Sequence, residues 1–228
     1  MRELPILFST EMVRAILDGI KTQTRRIIKS HIVDRFVLDS SGKLLGSYIE
    51  GDVDGYPTID DAPPYQVGDI LYVRETWKCV KYDSTDGDLS YGVEFKDGTR
   101  KYFEFDDNER FHQFGKFAFK DGWQPSMFIP KEAARIWLEV TDVRAERLIE
   151  ITEEDAKAEG AKQKIWYQPY GTKREEEQLY IGDIVKHEAN YLTGFAGLWD
   201  SLCDQQENSF YSSPWVWVYG LKRLEGYR

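Results

Sequence analysis

The residues with most chemical potential sit in one short run, Gly19-Ile20-Lys21-Thr22-Gln23-Thr24-Arg25-Arg26, directly behind an amphipathic segment. A threonine hydroxyl becomes a nucleophile once a neighbour takes its proton. Lysine and arginine side chains can hold phosphates or support an oxyanion. Spacing alone describes a solvated turn equally well, with Lys21 complementing the negative end of the preceding helix. A second signal is Glu159, a carboxylate at the end of a short helix, just before Gly160. An anion there faces the negative end of the helix dipole, so Glu159→Gln is expected to leave stability unchanged or slightly raised. The third is aromatic: seven Trp and fourteen Tyr, with Trp215, Trp217 and Tyr219 on one strand face and Trp77 closing another strand-like run. Such rings fill cores first, although one or two could stack on a nucleobase.

The elements that must position these residues are legible in outline. Val13, Ile16, Leu17 and Ile20 mark one face of a helix from Thr10 to Gly19, with Thr10 at its start and Gly19 at its stop. In a straight strand Lys21 and Thr24 would point to opposite faces, so their convergence requires the segment to turn or bulge. Residues 39–64, rich in Gly, Asp, Ser and Pro, read as a surface excursion. Gly68-Asp69 turns into a strand from Ile70 to Trp77. Val93 and Phe95, then Phe103 and Phe105, flank the turn Lys96-Asp97-Gly98-Thr99 of a hairpin. Pro130 opens a helical piece, Lys131 to Ala134, and a strand from Ile136 to Val143 follows. Thr152 caps a helix with Glu153, Glu154 and Asp155 in its first turn, stopped near Gly160. Residues 161–213 read as irregular and polar, with a Gly182-Asp183 turn before Ile184-Val185. Pro214 to Tyr219 is the closing strand. Strands and short helices without βαβ alternation indicate an α+β mixed sheet or small barrel.

Composition narrows the class. At 228 residues one domain buries roughly 70–75% of its unfolded surface, so no covalent staple is required. Cys79 and Cys203 read as reduced thiols. His31, His112 and His187 are too scattered for a zinc site. No signal peptide or spanning apolar run is evident, which gives a soluble, cytoplasmic protein as the expectation. With 40 acidic and 30 basic side chains the net charge is −10, which favours a small ligand over a long polyanion.

The run Gly19, Lys21, Arg26 after a short helix resembles the signature of ASCH domains, which share the PUA-like barrel. Lys-Thr-x-Thr-x-Arg together with Ile151-Thr152-Glu153-Glu154-Asp155-Ala156-Lys157-Ala158-Glu159 is similar to the small bacterial N4-acetylcytidine amidohydrolases. Four blocks carry the likeness, 4–28, 66–78, 124–160 and 214–225. With Trp199-Asp200 they also resemble ASCH proteins of phages and prophages. Segments 29–64, 80–122 and 161–213 are insertions relative to the compact enzymes. The resemblance implies a single ASCH domain over 1–228, an α+β PUA-like mixed β-barrel with short flanking helices, long inserted loops and a hairpin. It implies metal- and cofactor-independent removal of an acyl group from the exocyclic N4 of cytosine or cytidine. Lys21, Thr24 and Glu159 are then the catalytic set, and Arg26, Arg74, Glu75 and Trp77 the substrate-binding residues. Either Lys21 is the base and Glu159 serves the leaving group, or Glu159 is the base and Lys21 supports the oxyanion. The implied partner is a small acylated nucleoside or base met by a monomer, with weak RNA contact at most. The alternatives are a non-catalytic RNA- or DNA-binding ASCH module, with Lys21 and Arg26 on phosphates, and an ASCH-type ribonuclease.

Overall fold

The computed structural model describes residues 1–40, 44–47, 63–83, 89–103, 108–117, 120, 122–164, 167–168, 185–186, 189–203 and 206–227. The strands are β1 (Glu3–Leu7), β2 (Gln23–Ile27), β3 (Phe36–Leu38), β4 (Leu44–Ser47), β5 (Ile70–Arg74), β6 (Trp77–Asp83), β7 (Leu89–Phe95), β8 (Arg100–Phe103), β9 (Trp137–Arg147), β10 (Tyr167–Gln168), β11 (Val185–Lys186) and β12 (Trp215–Arg223). The helices are α1 (Thr10–Leu17), α2 (Ser30–Val33), α3 (Asn108–Gly115), α4 (Glu153–Ala158) and α5 (Tyr191–Leu202). The chain is α+β with mixed sheets, and no closed barrel forms among the described residues. It divides into two compact units, one of Met1–Gly19, Tyr65–Asp142 and Leu221–Arg228, the other of Ile20–Pro64 and Val143–Gly220. Among the described residues no helix is long and apolar enough to cross a membrane.

In the first unit β1 runs parallel to β5, and β5 pairs antiparallel with β9 through Ile70–Glu139, Leu71–Leu138 and Tyr72–Trp137. Helix α1 is capped by Ser9, whose Oγ accepts from Met12 N at 3.3 Å, one residue ahead of the expected Thr10. Val13 and Ile16 are buried as the periodicity requires, but Ile20 is 48% exposed. The helix ends at Leu17, and Gly19, at φ +72°, turns the chain before Ile20 can extend the apolar face. The expected Ile70–Trp77 strand is two strands. β5 stops at Arg74, Trp77 opens β6, and Glu75 at the corner is held by Arg135 through Nε–Oε1 (2.8 Å) and Nη2–Oε2 (2.7 Å).

The hairpin β7–β8 forms as read, with Gly98 at φ +85° and Asp97 Oδ1 accepting from Thr99 N (2.9 Å) and Oγ1 (2.7 Å). Phe105 lies outside the described residues. Trp77, Val93, Phe95, Phe103, Phe114, Ile129 and Ala133 form the core under this sheet.

In the second unit β12 pairs antiparallel with β2, from Val216–Ile27 to Gly220–Gln23. Val216 and Val218 join Leu148, Ile151, Ala156, Ala161, Phe195, Trp199 and Phe210 in one core. On the other face of β12, Phe36 meets Trp215 and Trp217 edge-on, with centroids 5.2 and 6.4 Å away. Segment 161–213 is not irregular throughout, because it contains α5, whose Phe195 and Trp199 supply part of the core. Asn190 caps α5 by accepting from Thr193 N at 2.7 Å, and Glu153 takes the next orphan donors, Tyr191 N (2.6 Å) and Leu192 N (3.0 Å). Gly194 and Gly197 hide this helix from a propensity reading. Gly194 is there for space, since a Cβ would lie 1.7 Å from the Lys162 carbonyl oxygen. The Gly182-Asp183 turn lies outside the described residues.

Candidate active site

Helix α4 presents Glu159. Thr152 Oγ1 accepts from Asp155 N at 3.1 Å, three acids complement the dipole, and Glu159 is the C-cap before Gly160 at φ +82°. The segment ahead of β2 docks against this helix end, with Thr22 N donating to Ala158 O at 2.8 Å. That contact brings Lys21 to Glu159. Lys21 Nζ donates to Glu159 Oε2 at 2.6 Å, to the Glu159 carbonyl at 2.9 Å and to the Gln23 carbonyl at 2.8 Å. The side chains are 0% and 5% exposed, so the pair is out of water. The carboxylate at the helix end is therefore compensated by a cation that also satisfies the last carbonyl. Glu159→Gln, expected from the sequence to leave stability unchanged or slightly raised, is with this pairing expected to lower it, because removing the anion would strand a buried ammonium.

Arg25 completes the assembly. Its side chain is fully buried and faces three carboxylates. Nη1 donates to Glu159 Oε1 at 3.0 Å, Nη2 and Nε donate to Glu146 Oε1 at 2.6 and 3.0 Å, and Nη2 lies 3.3 Å from Asp155 Oδ2. Arg144 backs the cluster, reaching Glu146 Oε2 at 3.0 Å and Asp155 Oδ2 at 3.4 Å. Lys21, Arg25 and Arg144 thus balance Glu146, Asp155 and Glu159. Burial pulls the Lys21 ammonium below its ordinary value, aided by Arg26 and Arg25 and opposed by Glu159. For Asp155 burial acts upward, but the Gln23 hydrogen bond and the charges of Arg25 and Arg144 overcome it and hold the carboxyl below its usual value.

Thr24 pairs with Tyr219 and Arg26 with Trp217, which places both on the Trp217/Tyr219 face of the β2–β12 ribbon. Thr24 is 0% exposed, and its Oγ1 accepts from Arg26 Nη1 at 2.7 Å. Arg25, paired with Val218, takes the opposite face. Lys21 precedes the strand, which begins at Gln23, so strand alternation does not set the direction of its side chain. The structure therefore joins Lys21 to Glu159 directly and Thr24 to Arg26.

Arg74, Glu75 and Trp77 belong to the first unit. Arg74 lies over the Tyr72 ring at 5.4 Å and donates to Met127 O at 3.2 Å. Burial raises the Glu75 carboxyl in spite of the Arg135 fork. Trp77 is 0% exposed, stacked on Phe114 and edge-on to Phe117. The residues missed in the sequence are Arg25, Glu146 and Asp155 as one network. Arg144 and Glu146 are spaced for one strand face, but the expected strand stopped at Val143 whereas β9 continues to Arg147. Among the described residues no group of His, Cys, Asp or Glu is arranged to hold a metal ion. No family model matches this chain, and none of the curated proteins or solved structures matches it.

Proposed function

We propose that this protein is an amidohydrolase that removes an acyl group from the exocyclic N4 of an acylated cytosine, on a divergent PUA-like ASCH fold. The observation that supports this reading is the buried Lys21–Glu159 pair at 2.6 Å, formed between residues far apart in sequence. Desolvating two charges is costly, and a buried lysine pulled below its ordinary value beside a charged partner is a functional-site candidate.

In the proposed reaction Thr24 Oγ bonds to the acyl carbon as its proton passes to the Lys21/Glu159 pair. The carbonyl electron pair moves onto oxygen, where a cation is needed. Arg26, whose Nη1 donates to Thr24 Oγ1 at 2.7 Å, supplies that cation in this scheme. Collapse breaks the bond to N4, which takes the proton back and leaves as the amine. Water then cleaves the acyl-threonine ester by the same proton route, giving the carboxylic acid and free Thr24.

The test is incubation of the protein with N4-acetylcytidine and, separately, with labelled RNA, with and without a chelator. Release of cytidine that persists in the chelator is the expected result. RNA cleavage with acetylcytidine untouched would identify a ribonuclease. Tight RNA binding without either reaction would identify a nucleic-acid-binding module.

A further inference from the structure

Helix α3 lies in the inserted segment 80–122 and carries Arg110, Gln113 and Phe114 at positions i, i+3 and i+4, so the three share one face. Phe117, whose N donates to Phe114 O at 2.8 Å, continues that face past the helix end. Phe114 is 4% exposed and stacks on Trp77, which fixes the helix against the core of the first unit. Phe128 and Pro130 stand across from it. Phe128 N donates to Pro125 O and Ile129 N to Ser126 O, both at 3.2 Å, in a tight turn that buries Ile129 and leaves Phe128 49% exposed. The two segments do not close on each other. Between them Arg110, Gln113, Phe114, Phe117, Phe128 and Pro130 line a recess of about 180 Å³.

Size and lining define what fits. A cavity of about 150 Å³ lined by Leu, Ile and Phe takes one benzene, whereas pockets for drug-sized ligands begin at about 300 Å³. This recess therefore suits a single ring. Its walls are aromatic, with the Phe117 centroid 5.8 Å from that of Phe114 and 5.9 Å from that of Phe128, which favours a flat occupant. The rim is polar but balanced in charge. Arg110 is forked onto Glu132, with Nη1 on Oε1 and Nη2 2.8 Å from Oε2. Lys120 Nζ stands 5.0 Å from the Phe117 centroid, and Glu109 Oε1 accepts from Gln113 Nε2 at 3.2 Å. Two cations thus meet two carboxylates, so an anion would give up its hydration without net positive charge in return. With Nε2 engaged, Gln113 offers its carbonyl oxygen, an acceptor for an N–H.

We propose that this recess binds one uncharged, planar six-membered ring with an N–H edge, the chemistry of a free pyrimidine base such as uracil. The ring packs on the phenylalanine faces and donates its N–H to Gln113, while the Arg110–Glu132 pair closes the rim without favouring a charged ligand. All six lining residues belong to the first unit, whereas Lys21, Thr24 and Glu159 belong to the second. The recess is thus a second site, and its binding does not depend on whether the protein hydrolyses acylated cytosine.

Labelled uracil in equilibrium dialysis should bind saturably, and the Gln113 side-chain amide resonance, assigned by NMR with Gln113→Ala, should shift with the same Kd. Orotate, the same ring with a carboxylate, and adenine, with two fused rings, should bind about tenfold more weakly or worse. Gln113→Trp fills the recess and removes the acceptor, and Phe128→Ala removes an exposed wall, so each should weaken uracil by about tenfold or more with the fold intact. Thr24→Ala should leave the uracil shift at Gln113 unchanged. No saturable shift at Gln113 up to the solubility of uracil would overturn the proposal. So would orotate or adenine binding as tightly as uracil, native affinity in Gln113→Trp, or loss of the Gln113 shift in Thr24→Ala. If Phe128→Ala fails to fold, Gln113→Trp, at an exposed helix position, decides alone.

Discussion

The buried pair Lys21–Glu159 makes a quantitative prediction for a double-mutant cycle. In Lys21→Met the Glu159 carboxylate keeps Arg25 on Oε1 but loses its 2.6 Å partner, and two buried carbonyls lose a donor. In Glu159→Gln the ammonium keeps two carbonyl acceptors but loses its counter-charge. Breaking a buried pair from one side costs about 3–5 kcal/mol, and the surviving partners in both variants point to the lower end, about 3 kcal/mol each. For a protein of this size that is a fall in Tm of about 6–12 °C. Removing both charges together leaves neither stranded. The double variant should therefore also lose about 3 kcal/mol rather than about 6, a coupling of about 3 kcal/mol. Urea unfolding followed by tryptophan fluorescence measures all three. Additive losses, with coupling under about 0.5 kcal/mol, would refute the pair and the argument built on it.

Thr24→Ala should abolish deacylation and, because Thr24 is fully buried against Arg26, cost about 1 kcal/mol in unfolding, while Thr24→Ser should retain part of the rate. Near-native turnover in Thr24→Ala would reduce it to a packing residue. Gly194→Ala should destabilise α5 by about 1–3 kcal/mol or more, since the new Cβ meets a backbone oxygen, whereas Gly197→Ala meets only the flexible end of Lys164 at 3.4 Å and should gain up to about 1 kcal/mol. Equal thermal shifts in the two would contradict the packing described. Asp97 is held at about 2: burial acts upward, but hydrogen bonds from Thr99 and the Arg135 interaction outweigh it. A depressed carboxyl stabilises the fold above its unfolded value of 3.8 and loses that contribution as pH falls towards 2. Asp97→Asn should accordingly flatten the acid limb of stability between those values, and an unchanged limb would show that Asp97 does not contribute to it.

What the sequence alone determined was local. Helix α4, with its Thr152 cap, acidic first turn and Gly160 stop, follows from side-chain hydrogen bonding and backbone sterics within a few residues. The Asp97-Gly98 hairpin and the Pro130 turn are set the same way, by what a short segment can do by itself. Wherever packing competes with propensity, only the tertiary structure decided. Helix α5 carries two glycines because one of them must pass the Lys162 carbonyl, and its core contacts outweigh their cost. The run from Ile70 breaks at a buried Glu75 that finds its partner in Arg135, sixty residues away. At the site, sequence placed Lys21, Thr24 and Glu159 on suitable elements, but charge pairing is a property of distance in space. Only the docking of Thr22 on the end of α4 joined Lys21 to Glu159, and only the pairing of β2 with β12 put Thr24 on one face and Arg25 among its three carboxylates on the other.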